Sequence, residues 1–217
     1  MSEQGSEPDW VSILSADCDA EFENVVITPE RVSMISLIDC REQLDKSSID
    51  KLRLALAAKV AHLALQAALT AAIAGTANIG AHPQKLRGQY LKYFEDSNSG
   101  TATRPDSDRV MSFVELLDAA RTNTLPWTDT VLDVSDDEAD LINRLTKVRH
   151  DVEHPKQLLY SIEPAYILRM LPIAARLTVT LLNSVFHHFE PGELEKIRIA
   201  VRAIEETCEA TPAADAK

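Results

Sequence analysis

The chain has 217 residues, a formal net charge of -12, 45% hydrophobic and only 5% aromatic residues. That length suits one domain with a substantial core, and the charge excludes general nucleic-acid binding through a broad basic face. Ala and Leu dominate the apolar share, which favours helices over sheets and gives an all-α fold class: an up-and-down helical bundle with peripheral helices.

Residues 1 to about 9 read as a lead-in, followed by a short, weakly signalled helix around Trp10 to Glu23. Thr28-Pro29-Glu30 supplies an N-cap, a proline at the first helical position and an early acid, predicting a helix to about Leu44. Ser47-Ser48-Ile49-Asp50 is expected to cap a long helix that Gly75 stops. Along it Leu52, Leu56, Val60, Leu63, Ala67 and Ala71 form the expected core-facing stripe. A connector with Gly80 and Pro83 leads to a helix over about Gln84 to Glu95, and a polar loop runs through Pro105. A helix from Ser107 to Arg121 should turn Val110, Phe113, Val114 and Leu117 to one face. Short apolar pieces such as Val131 to Val134 are extended only locally, and no strand set or solenoid period is present. Ser135-Asp136-Asp137-Glu138 is a capping box, and the helix it opens should stop near His154, before Pro155. Ser161 to Pro164 begins a long helix reaching about Phe189, which Pro172 should kink or split. An amphipathic helix from Glu193 to Cys208 and a loose tail complete the chain.

The nearest apolar run to a membrane span, Leu63 to Ala74, is too short and carries Gln66 and Thr70, so no membrane partner is expected. The polar, acidic start is unlike a signal peptide. Cys18, Cys40 and Cys208 are widely spaced and lack metal-ligand spacing, as in a reduced cytoplasmic protein.

Chemistry concentrates at Lys147-Val148-Arg149-His150-Asp151-Val152-Glu153-His154-Pro155. An R-x4-H spacing places Arg149, a planar cation able to hold a phosphate by two hydrogen bonds, one helical turn from His154, which can move a proton near neutral pH. Arg144, Lys147, Arg149 and Lys156 face only Asp151 and Glu153, so the segment is locally positive and offers RNA-binding side chains. The plain alternative for its lysines is a helix C-terminus, where the backbone dipole favours cations. Leu141, Ile142, Leu145, Val148 and Val152 share one arc of the helix, with Arg149 at its edge. A cation placed there needs a phosphate, a dimer groove or a carboxylate such as Asp118 or Glu115. His154 should leave the helical wheel toward a cleft, or else cap orphan carbonyls.

This motif, with His150 as the polar residue after the arginine, resembles the signature of the HEPN superfamily, all-α domains of bacterial toxin and phage-defence systems. The likeness in helix order covers roughly residues 47–189 and divides the chain into a peripheral segment 1–27, a HEPN-like domain 28–190, and a C-terminal helix and tail 191–217. It implies a metal-independent endoribonuclease, a toxin or defence effector without cofactor, whose site forms across a homodimer. Its catalytic residues would be Arg149, His154 and His150, with Arg144, Lys147 and Lys156 on RNA. His154 would act as base or acid at a ribose 2'-hydroxyl while Arg149 stabilises phosphoryl charge. The products implied are a 2',3'-cyclic phosphate and a 5'-hydroxyl. Other members of the superfamily are non-catalytic dimerisation or binding modules, which is the alternative function. An antitoxin or regulatory protein is a further implied partner. Members controlled by nucleotidyltransferase antitoxins carry a tyrosine two residues past the histidine, where this chain has Lys156.

On the residues themselves, His150 and His154 have the i, i+4 spacing of zinc ligands, with His187-His188 as remote additions. The pattern lacks the glutamate of H-E-x-x-H and an evident third ligand, so no metal is assigned. His62, on an earlier helix, is a candidate extra polar residue of the site. The commoner reading is an ordinary surface or partly buried histidine.

Overall fold

The computed structural model describes residues 27–97, 102–155, 161–185, 187, 189–190 and 192–210. All regular structure among the described residues is helical. The expected helix around Trp10 to Glu23 lies outside them.

The first helix, α1 (Pro29–Asp45), begins as its sequence dictates: Thr28 Oγ1 accepts the Arg31 amide at 3.3 Å, and Pro29 occupies the first position. A 3₁₀ turn over Lys46–Ser48 follows. The long helix α2 (Leu52–Ala74) therefore starts later than the Ser47-Ser48 pair suggested; Asp50 Oδ1 receives the Leu52 amide at 2.9 Å instead. Gly75 ends it with φ 66°, a conformation that side chains with a Cβ rarely adopt. Gly80 is required for a different reason, because a Cβ there would sit 1.9 Å from the Ile73 carbonyl oxygen.

Helix α3 (Gln84–Asp96) falls where expected. It stands beside the bundle on a separate apolar cluster of Ile79, Leu86 and Tyr90. Helix α4 (Phe113–Thr122) begins six residues after the Ser107 start read from sequence. Residues 107–111 are instead strapped along the connector to α3. Met111 N–H donates to the Ala81 carbonyl at 2.9 Å, and His82 Nδ1 to the Arg109 carbonyl at 2.7 Å. The helix starts only at a capping box, in which Ser112 and Glu115 each take the other's amide. Its buried face holds Phe113, Leu116, Leu117 and Ala120, while Val110 and Val114 of the expected face are exposed.

Helix α5 (Asp136–Glu153) opens on the predicted Ser135–Glu138 box and closes at His154. Glu138 also meets Arg176 of α6 (Pro164–Ser184), and the Ser135 amide holds its carboxyl below the usual range. The helix α6 runs unbroken through Pro172 and ends at Ser184, short of Phe189. Its apolar face outweighs the amide hydrogen bond that proline removes. Helix α7 (Glu193–Ala210) follows.

The central helix is α2, which packs on α1, α4, α5 and α6; α7 covers α1 and α6. Leu54, Ala57, Ala58, Ala61, Leu65, Ala68, Leu69 and Ala72 are its inward residues. The stripe chosen from spacing was partly wrong: Ala67 and Ala71 are buried, but Leu52 is 63% and Leu63 44% exposed. A helix apolar all round, enclosed by neighbours on several sides, gives spacing no polar face to phase against. For the same reason α2 and α6 are each long and apolar enough by composition to cross a membrane. That property was missed in the Leu63–Ala74 window. Here 61% and 50% of their apolar stretches are buried within the bundle.

Candidate functional site

The α5 C-terminal half presents two faces about a quarter turn apart. One carries Thr146, Arg149 and Glu153 and is turned to α2. The other carries Lys147, His150 and His154 and is exposed.

On the first face Arg149 Nε lies 2.8 Å from Glu153 Oε2, and Lys59 Nζ of α2 lies 3.8 Å from Glu153 Oε1. Arg149 thus finds its carboxylate one turn away on its own helix, not on α4 at Asp118 or Glu115. The i, i+4 spacing needed for this pair was legible in the sequence. The Lys59 contribution was not, because it depends on how α2 crosses α5. The side chain of Arg149 is 41% exposed, so the guanidinium is tethered at the surface rather than buried in the core. A pair this accessible is worth little to stability, about 1 kcal/mol at most. Its effect is to limit the directions the guanidinium can point.

Behind the pair lies His62, at 1% exposure, contrary to the partly buried or surface position expected of it. Its ring stacks at 4.4 Å, tilted 35°, on Phe113, and Nε2 is 3.1 Å from Thr146 Oγ1. Nδ1 is buried with no hydrogen-bond partner. An orphaned N–H costs more than an orphaned lone pair, which puts the single proton on Nε2, donated to Thr146. Burial lowers the imidazole pKa to about 4; the nearby Arg149 cation acts in the same direction and Glu153 opposes it. His62 is therefore neutral at pH 7. Its sequence signal was only a histidine inside an Ala/Leu-rich helix.

On the second face His150 and His154 lie with ring centroids 4.9 Å apart, both exposed. His154 is the C-cap, its amide donating to the His150 carbonyl at 2.9 Å, so its backbone serves the helix end while its ring stays accessible. It does not enter the adjacent groove of about 620 Å³ between α2, α5 and α6, whose walls include Leu52, Leu56, Val152 and Ile167. Asp151 lines that groove and is buried.

The structure therefore brings together the two histidines, and separately Arg149, Glu153, Lys59 and, behind them, His62. Among the flanking cations, Lys147 is exposed. Arg144 is held against α6, hydrogen-bonded to the Tyr166 hydroxyl with its guanidinium 5.8 Å from that ring's centre. Lys156 lies outside the described residues. The arrangement offers an anchored guanidinium, two accessible imidazoles whose ring nitrogens can take or give a proton, and a lysine at the margin. The chain matches no protein-family model, no curated protein and no solved structure.

Proposed function

We propose that the protein is a metal-independent endoribonuclease of the HEPN type. It would act as a toxin or defence effector through a site completed in a homodimer. The observation that carries the reading is the end of α5. The same helix end carries a tethered, surface-accessible Arg149 and, about a quarter turn around it, two accessible histidines whose rings are 4.9 Å apart. Cleavage by 2'-hydroxyl attack needs a base for that hydroxyl, an acid for the departing 5'-oxygen, and a cation for phosphoryl charge. His154 supplies the proton transfers, with His150 beside it, and Arg149 the charge. A second chain doubles this set across the interface, so one imidazole takes a proton while another donates. The 2'-hydroxyl restricts the reaction to RNA.

The non-catalytic alternative has one observation in its favour: Arg149 is already ion-paired to Glu153, with Lys59 behind. Incubating wild type, Arg149→Ala and His154→Ala with single-stranded and structured RNA in excess chelator separates the two. Cleavage by wild type that falls at least about 100-fold in either variant supports the nuclease, as expected of a lost proton-transfer or charge-stabilising group. Equal cleavage by all three preparations overturns the site assignment. No cleavage by a folded dimer favours the binding module.

A further inference from the structure

The exposed face of helix α3 combines cations with apolar side chains. Helix α3 carries Lys85, Arg87 and Lys92 along its length, with Glu95 and Asp96 only at its last two positions, in a chain of net charge -12. All three cations are exposed, and none forms an ion pair with another described residue. Among them lie Leu91, 49% exposed, and Phe94, 45% exposed. At 100° per residue the outermost line of the helix runs through Gly88 and, at its C-terminal end, Glu95, flanked by Lys85 and Lys92 on one side and Leu91, Arg87 and Phe94 on the other. A Cβ at Gly88 would meet nothing within 4 Å, so no contact inside the described fold calls for glycine at this helix-interior position. The side that holds α3 is firm: Tyr90 stacks on His82 at 5.1 Å and donates to Asp108 Oδ1 at 2.7 Å. The result is a helix face with an accessible backbone, apolar side chains and positive charge that has no ion-pair partner among the described residues.

The complementary chemistry is present in the same chain. Residues 1–26 hold seven carboxylates (Glu3, Glu7, Asp9, Asp17, Asp19, Glu21 and Glu23), no lysine or arginine, and the apolar residues Trp10, Ile13, Leu14 and Phe22. They also join the fold at the right end. Helices α1 and α2 are antiparallel: Ser33 Oγ donates to the Ala64 carbonyl, and Arg53 near the α2 start reaches Gln43 near the α1 end. The α1 N-terminus therefore lies toward the α2 C-terminus, from which the 75–83 connector leads into α3. Twenty-six residues, each spanning up to ~3.3 Å when extended, give the segment ample covalent reach from that end of the bundle. Tethering sets an effective concentration of order millimolar, so weak contacts suffice.

We infer that the exposed face of α3 is the docking surface for the chain's own acidic segment, residues 1–26, held by Lys85, Arg87 and Lys92 with Leu91 and Phe94 as apolar contacts. This assignment is independent of the nuclease reading. It also explains how a basic, apolar face is tolerated on an acidic chain.

Zero-length carbodiimide coupling of the full chain tests it, using a mixture of isotopically light and heavy protein to separate coupling within a chain from coupling between chains. The expected products join Lys85 or Lys92 to carboxylates of residues 1–26 within one chain. They should fall roughly fivefold at about 1 M salt, where the screening length is ~3 Å, and similarly in Arg87→Glu and Gly88→Glu, which keep both lysines. The Lys59–Glu153 pair, at 3.8 Å, is the internal control for folding and coupling. Its product without any α3 product overturns the inference. So does coupling found only between chains, which would make a second copy the occupant. The inference also falls if a fluorescent oligouridylate binds wild type, is lost on Lys85→Glu/Lys92→Glu, and no α3 coupling to residues 1–26 is seen; the face would then belong to nucleic acid.

Discussion

Arg149 and the α3 cations are both exposed positive charge on an acidic chain, yet they are held in opposite ways. Arg149 is tied to Glu153, which Lys59 also approaches, and the group rests on the main core through Leu145, Val148 and α2. Lys85, Arg87 and Lys92 project from a helix that stands on three buried side chains, Ile79, Leu86 and Tyr90, and have no ion-pair partner among the described residues. The first arrangement orients a cation; the second leaves cations free for something else to neutralise. Charge that is internally matched reads as part of a site. Charge left unmatched reads as an invitation to a partner.

The contrast in anchoring is open to attack by truncation. Leu145→Ala, beneath the α5 site and fully buried, should cost about 2–5 kcal/mol in chemical denaturation. Leu86→Ala, in the satellite cluster, should cost no more than about 2 kcal/mol, because its thinly packed site can relax. Equal losses would mean that α3 is as integral to the core as α5.

His62 sharpens the comparison through pH. Its pKa in the fold is lowered from the ordinary 6.5 to about 4, so between those values the unfolded chain binds more protons. Stability from this group is therefore complete above pH 6.5 and is lost as pH falls toward 4, by on the order of 3 kcal/mol. His62→Gln, which cannot titrate, should flatten the stability profile between pH 6.5 and 4 by that amount. A profile parallel to wild type would show that His62 protonates without cost, and that the pocket behind Arg149 is wetter than its burial suggests.

Smaller effects probe how α4 and α3 are set. Ser112→Ala removes the α4 cap and should cost about 1 kcal/mol in thermal unfolding. A neutral result would place the start of that helix elsewhere. Gly88→Ala fills open space at a helix-interior position and should stabilise the chain by about 0.5–1 kcal/mol. Destabilisation there would mean that something already lies against the glycine.

Helix starts were legible wherever a side chain satisfies a local amide: Thr28 before α1 and Ser135 before α5 both cap as their sequence implies. The R-x4-H segment was legible as chemistry because its residue types and spacing are local. So was its position at a helix end, which Pro155 enforces. The start of α4 was misread because Ser112-x-x-Glu115 competed with a more conspicuous Ser107, and the strap from Met111 to Ala81 decides between them over 30 positions.

By itself the sequence determined the all-helical class, the capped starts of α1 and α5, the i, i+4 spacing of His150 and His154, and the i, i+4 carboxylate available to Arg149. Each depends on backbone hydrogen bonding and 3.6-residue periodicity, which act within a turn or two. The tertiary structure decided which side of α2 is buried, that His62 sits sealed behind Arg149, that Lys59 joins Glu153, and that α3 stands apart with its cations unpaired among the described residues. These follow from how helices cross. In an Ala/Leu-rich chain many crossings bury similar apolar area, so the choice rests on packing shape, which the local pattern does not encode.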